Sequence, residues 1–293
     1  MLVPSSAVRR FACAVAVLAV TVTVAGCSGS GGPGLDGAAE AVGTTSPVET
    51  LQSQLDTLAS TYEMDPDTDV SIAALDTVTG QSMQYGSSSG MVAASAVKAE
   101  ILVATLLDHQ DAGTSLSDAD DLRATQMIES SDNDAASALF DEVGGTAAMN
   151  AASVRLHMGH TSIGDDGYFG FTVTNAQDQI TLLKSLVDPA SPLDSNGRAY
   201  ALGLMRNVDT DESWGVTAAS DTGSTPAVKN GWLPVDSDDG RWAVTSIGVI
   251  TAGGHETLLA VFTQHQAEEQ YGIDFIERAS KLVVAGLATT PPR

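Results

Sequence analysis

Ser95-Ala96-Val97-Lys98 opens a run whose apolar residues Ile101, Leu102, Val103, Leu106 and Leu107 read as a helix buried in a core. On a helix the residue three places on lies beside the first, on the same face. A seryl hydroxyl is a poor nucleophile at its free pKa and needs such a neighbour as its base. Lys98 is one of only four lysines in the chain. Further along, Ser131-Asp132-Asn133 sits between one helical segment and another expected over residues 134–143. A second lysine, in Lys229-Asn230-Gly231, falls in a short strand-like run over 227–233. A helix start, an inter-helix loop and an adjacent strand are the three walls an acyl-transfer cleft requires.

The order of these motifs resembles that of class A β-lactamases and penicillin-binding proteins, and more closely the β-lactamase-related serine hydrolases that bacteria export. The resemblance spans residues 47–287 and includes the phrase at 127–136, Val143-Gly144-Gly145, and Arg155-Leu156 before a loop. It implies that Ser95 is the nucleophile and Lys98 its general base. It further implies that Ser131 relays a proton to the leaving nitrogen and that Asn133 holds the substrate's amide carbonyl. Lys229 would keep the cleft positive, and the backbone N–H groups of Ser95 and Trp232 would form the oxyanion hole.

Three departures from that pattern matter. The third motif ordinarily carries threonine or serine where this chain has Asn230, whose amide still donates a hydrogen bond but with another geometry. Class A β-lactamases place a glutamate on a loop after the Ser-Asp-Asn helices to activate the deacylating water. Between Arg155 and Thr174 there is no glutamate, only Asp165 and Asp166 in a glycine-rich loop, so slow hydrolysis of an acyl-enzyme is expected. Ser95 and Ser131 are also closer in sequence than in those enzymes, which implies a more open cleft rim.

Arg9 and Arg10 precede an uncharged apolar stretch over 11–26 that ends in Val24-Ala25-Gly26-Cys27. This reads as a lipoprotein signal over residues 1–26 with Cys27 as the lipidated residue. Cys13 leaves with the signal, so Cys27 becomes the only cysteine of the mature chain and an internal disulfide is excluded. Residues 27–45, rich in Gly, Ser and Ala, read as a flexible tether to a domain over 46–288, with 289–293 as a tail. Localisation at the outer face of the cytoplasmic membrane follows.

The formal charge is −24, and removal of the signal with its two arginines makes it −26. Nucleic acid is excluded as a partner, because phosphate binding needs a basic surface. The acidity reads as solubility outside the cell. About 240 residues remain after the tether, enough for one well-buried domain. No internal repeat is apparent, and no cofactor or metal is implied.

Ser46-Pro47-Val48-Glu49 is a capping-box sequence opening a helix, with Val48, Leu51, Leu55, Leu58 and Tyr62 at helical spacing. Residues 70–75 and 82–85 flank a turn-rich segment and predict a hairpin. Helical patterns fill the middle of the chain. Late strands are expected over 243–251, apolar enough to be central and buried on both faces, and over 257–263, before a closing helix over 275–287. Strands at both ends around a helical middle indicate an α/β (α+β) domain, a sheet covered by helices. The resemblance makes that sheet antiparallel and adds a helical subdomain.

Other features are read more plainly. Gly86-Ser87-Ser88-Ser89-Gly90 matches a nucleophile-elbow pattern, but too few strands precede it, and it reads as a loop. His157 and His160 near Asp165 and Asp166 lack a third ligand at defined spacing and read as loop residues. His255 and His265 read as surface residues and Trp214 and Trp242 as packing, while Trp232 is placed to line the cleft.

The expected function is an exported, lipid-anchored serine hydrolase acting as a monomer through an acyl-serine, on a small-molecule or peptide acyl substrate. Two rival readings use the same residues. One is a D-alanyl peptidase or penicillin-binding-type enzyme on cell-wall peptides, favoured by the missing glutamate. The other is a non-catalytic binding lipoprotein that kept the fold, favoured by Asn230.

Overall fold

The computed structural model describes residues 46–165 and 167–289. The expected signal, Cys27, the tether, Asp166 and residues 290–293 lie outside the described residues. Helix α1 (Pro47–Thr61) opens with the expected capping box: Glu49 N donates to Ser46 Oγ at 3.2 Å and Ser46 N donates to Glu49 Oε2 at 2.8 Å. It buries Leu51, Leu55 and Ala59, whereas Val48 remains half exposed on the first turn.

The hairpin β1 (Val70–Asp76) and β2 (Ser82–Gly86) follows, then the short strand β3 (Met91–Val92). Helices α2 (Val97–Ala112), α3 (Asp118–Glu129), α4 (Asn133–Val143) and α5 (Gly145–Arg155) come next. Strand β4 (Val173–Thr174) pairs with β3 and leads into α6 (Ala176–Val187) and α7 (Ser195–Arg206). The chain returns through β5 (Ala227–Val235), β6 (Arg241–Ala252) and β7 (His255–Gln266), and closes with α8 (Glu269–Thr289).

Five strands form one antiparallel sheet in the order β2-β1-β7-β6-β5. Side chains alternate between its faces, so β1, β5, β6 and β7 each feed two cores, while β2 at the edge keeps one face exposed. Ile247 and Val249 of β6 join Ala73, Leu258, Ala260 and Phe262 beneath the helices α2 to α7. Val244 and Ile250 of the same strand join Val70, Ile72, Val228 and Leu259 against α1 and α8 on the other face. This two-sided burial explains the nearly continuous apolar run of β6. Helices α3, α4 and α5 pack on α2 away from the sheet and make the helical subdomain. Strand β7 extends beyond the expected 257–263 with polar residues at both ends, and helix α8 starts six residues before the expected 275–287 with a mixed segment that includes Tyr271 and Ile273.

Candidate active site

Ser95 lies in a 3₁₀ turn, Ala94–Ala96, that runs directly into α2. Ala94 holds a φ of +47°, a left-handed conformation that costs a residue with a Cβ on the order of 1 kcal/mol. Its neighbour Ala93 is fixed from two sides. Ala93 N donates to Thr172 O at 2.8 Å, and Thr245 Oγ1 on β6 donates to Ala93 O at 3.0 Å. Thus the sheet and the loop before β4 together hold the serine's turn.

Gly231 on β5 shows how tightly that turn meets the strand. A Cβ added there would lie 2.5 Å from Ser95 N and 2.7 Å from Ala96 N, closer than any real Cβ contact. Only glycine lets the edge strand run alongside the serine.

The Ser131-Asp132-Asn133 loop forms the opposite wall. Ser131 adopts φ +56°, and Asp132 caps α4 by accepting from Ala135 N at 2.7 Å. Lys98 Nζ donates to Ser131 O at 2.5 Å, to Asn133 Oδ1 at 2.7 Å and to Ser131 Oγ at 3.2 Å. Lys229 Nζ reaches the same Ser131 Oγ at 2.9 Å and also donates to Asn230 O at 3.0 Å. Both lysines are only 1% exposed. Burial, reinforced by the Lys229 charge, brings Lys98 down to about 7 against the attraction of Glu212 and Asp132. Burial lowers Lys229 to about 8, with Glu212 opposing.

The structure brings Ser131, Asn133, Lys98 and Lys229 together, with Ser95 one turn before Lys98. It places Asn230 and the Trp232 side chain elsewhere. Along a strand alternate residues face opposite sides. Asn230 Nδ2 therefore points away from Lys229 and donates to Glu212 O at 2.7 Å and Trp214 O at 3.1 Å, which uses both amide hydrogens on main chain. Trp232 joins Val228 on that same face and packs its ring against Trp214, centroids 5.9 Å apart.

Asp165 is exposed, and the short loop carrying it is closed by Ser162 N donating to Val173 O and Val173 N to Ser162 O. Ser88 lies in the loop between β2 and β3. His160 pairs with Asp178 instead of approaching Ser95.

One residue at this site was not foreseen. Glu212, in the 3₁₀ turn Thr210–Glu212, is 8% exposed with Oε2 3.8 Å from Lys229 Nζ. Burial pushes its carboxyl above the usual carboxylate range, against the pull of Lys229 and Lys98. No spacing rule links it to either lysine. The one local hint is an acidic residue ahead of Trp214-Gly215, shortly before the strand.

A family profile described as "Beta-lactamase enzyme family" matches residues 119–287. Two curated relatives described as "Putative lipoprotein LppW", from Mycobacterium tuberculosis and Mycobacterium bovis, are 27% identical over 190 residues, 62% of this chain and 59% of theirs. The chain thus spans about 59% of the length of those relatives. Among solved structures, PBP-A superposes with a TM-score of 0.69 at 21% identity, covering 82% of this chain and 96% of that one. A PBP-A variant solved as an acyl-enzyme complex with penicillin G gives 0.69 at 22% identity, with 82% and 96% covered. The TLA-1 extended-spectrum beta-lactamase gives 0.72 at 19% identity, with 83% and 100% covered.

Proposed function

The chain belongs to the beta-lactamase enzyme family, and on that premise we propose that it is an exported, lipid-anchored serine hydrolase working through an acyl-Ser95 intermediate. The observation that carries the reading is the convergence of two buried lysines on Ser131 Oγ beside the nucleophile's turn. A pure binding protein has no use for a desolvated lysine next to a serine.

In this reading neutral Lys98 takes the Ser95 proton as Oγ attacks the substrate's acyl carbon. The oxyanion is received by the N–H groups of Ser95 and Trp232. As the C–N bond breaks, Ser131 gives its hydroxyl proton to the leaving nitrogen and regains one from the Lys98 ammonium, which closes the proton count. Asn133, whose Oδ1 is taken by Lys98, offers its amide N–H₂ to the substrate's amide carbonyl. With the Asn230 amide engaged on main chain, recognition of a substrate carboxylate rests on the charge of Lys229.

Deacylation needs a water held by a base. The loop between Arg155 and Thr174 carries no glutamate, only the shorter Asp165 and Asp166 in a glycine-rich segment, which supports slow turnover of β-lactams. The same observation favours a second reading, a D-alanyl peptidase acting on cell-wall peptides, for which a β-lactam is an inhibitor.

For location, the description of the LppW relatives as lipoproteins supports the reading of Cys27 as a lipid anchor. Among the described residues no helix is long and apolar enough to cross a membrane. The protein acts as a monomer at the outer face of the cytoplasmic membrane. Intact-protein mass spectrometry after incubation with a panel of penicillins and acyl-D-Ala-D-Ala peptides tests the reading. A stable penicilloyl adduct without peptide turnover supports the hydrolase with poor β-lactam turnover, peptide cleavage supports the second reading, and the absence of any adduct or cleaved product with either class rejects both.

A further inference from the structure

Two buried ammonium groups that share one hydroxyl repel each other, and only one of them is held protonated at low cost. A base of the kind proposed above requires that the proton sit on Lys229 and not on Lys98. The surroundings of Ser131 do not put it there: its Oγ is reached at 2.9 Å by Lys229 and at 3.2 Å by Lys98, and Lys98 donates besides to Ser131 O and Asn133 Oδ1, two acceptors that by themselves favour a proton on Lys98. We propose that Glu212 does: its buried carboxylate is a positioning group that holds the shared positive charge on Lys229 and leaves Lys98 as the free base. This inference rests on the acyl-serine reading for its purpose, but not for its measurement.

The geometry is specific. Glu212 Oε2 faces Lys229 Nζ at 3.8 Å and has no hydrogen-bond partner among the described residues, so its charge is directed at the lysine. Lys98 is held from the other side by Ser131 and Asn133, with Asp132 as its further acidic neighbour. Lys229 is faced by Glu212, Ser131, the Asn230 carbonyl and Lys98. Glu212 is itself faced by the two lysines and by Asp209 and Asp211 of its own segment.

The segment that carries Glu212 is clamped in place. Asn230 binds the carbonyls of Glu212 and Trp214, and Val216 N donates to Ser246 Oγ at 3.0 Å. Gly215, at φ +79°, would place a Cβ 2.4 Å from that same Ser246 Oγ. Glu212 N donates to Asp209 O, and Asp209 N donates to Glu129 O at the end of α3, just before the Ser131 loop. The carboxamide at position 230 thereby acquires a purpose that a threonine or serine hydroxyl cannot serve, since it donates to two carbonyls at once.

The test reads the lysines directly. The full chain, purified in detergent and labelled with ε-¹³C-lysine, has four signals to titrate, and Lys184 and Lys281 are exposed. Lys229→Arg assigns the Lys229 signal by its disappearance. In the wild type the Lys229 midpoint lies above that of Lys98. In Glu212→Gln the Lys229 midpoint falls by about one pH unit or more and the Lys98 midpoint moves less, whereas Glu212→Asp restores most of the Lys229 shift. A Lys229 midpoint unmoved in a folded Glu212→Gln protein overturns the proposal. If that variant does not fold, a wild-type Lys98 midpoint above that of Lys229 overturns it equally. Benzylpenicillin adduct formation on the same wild-type sample reports separately on the acyl-serine reading, so either idea fails without the other.

Discussion

Lys98 and Lys229, more than a hundred residues apart in sequence, donate to a single oxygen, Ser131 Oγ, at 3.2 and 2.9 Å. The pair is desolvated on one side by the α2 core and on the other by the sheet. That burial brings two ammonium groups, ordinarily protonated far above neutrality, down to titrate near it.

Acylation therefore rises with pH as Lys98 loses its proton around 7 and declines above about 8 as Lys229 loses its own. Lys98→Arg keeps a charge but no base, since a guanidinium stays protonated. Its acylation rate falls by about 10²-fold or more at every pH. A stopped-flow rate profile for both proteins checks this; a Lys98→Arg enzyme with near-normal rates shows that another base is at work.

Glu100, fully buried on α2, accepts from Gln179 Nε2 at 2.7 Å, while its Oε2 and the Gln179 Oε1 are both without partners among the described residues. Burial raises this carboxyl to about 7, with the Gln179 hydrogen bond opposing. A carboxyl raised on folding binds its proton more tightly in the native state, so its contribution to stability falls as pH climbs from the unfolded value of about 4.5 through 7. In Glu100→Gln an amide N–H₂ donates permanently toward Gln179. The variant gains on the wild type by about 3 kcal/mol between pH 4 and pH 8 in denaturant melts. A pH-independent difference contradicts this.

Cys27→Ala releases the protein into the medium or leaves it unprocessed, because two acyl chains anchor stably where one is marginal. Membrane fractionation and the mass of the mature chain read the result. Unchanged fractionation with normal processing contradicts a lipid at Cys27.

With a chromogenic cephalosporin, the expected outcome is a burst and then a slow phase, since deacylation without a positioned general base is about 10²- to 10⁴-fold slower. Asp165, exposed on its short loop, and Asp166 are the alternative bases to exclude. Rapid steady hydrolysis that vanishes in Asp165→Asn or Asp166→Asn overturns the assignment.

Much of this site was legible because its chemistry comes as local phrases. Ser95 and Lys98 are three residues apart on one helix, and Ser131 to Asn133 is a loop with its own cap. What was misplaced follows from the motif outweighing the strand. Period-two alternation from Lys229 already puts Asn230 and Trp232 on the opposite face, where Asn230 meets main chain and Trp232 meets Trp214. Glu212 was illegible because its partner lies across a tertiary contact and its own segment is a 3₁₀ turn without periodicity. The ends of β7 were missed for a simpler reason: His255, Glu256 and Gln264 to Gln266 carry no apolar signal, while at the start of α8 Gln270, Gly272 and Asp274 interrupt the apolar Tyr271 and Ile273.

The most direct test of the acyl-serine account is peptide mapping of the protein after reaction with benzylpenicillin, run beside Ser95→Ala. The account predicts one penicilloyl group on the peptide containing Ser95 and none on the variant. An adduct on Ser88, or one that survives Ser95→Ala, contradicts it.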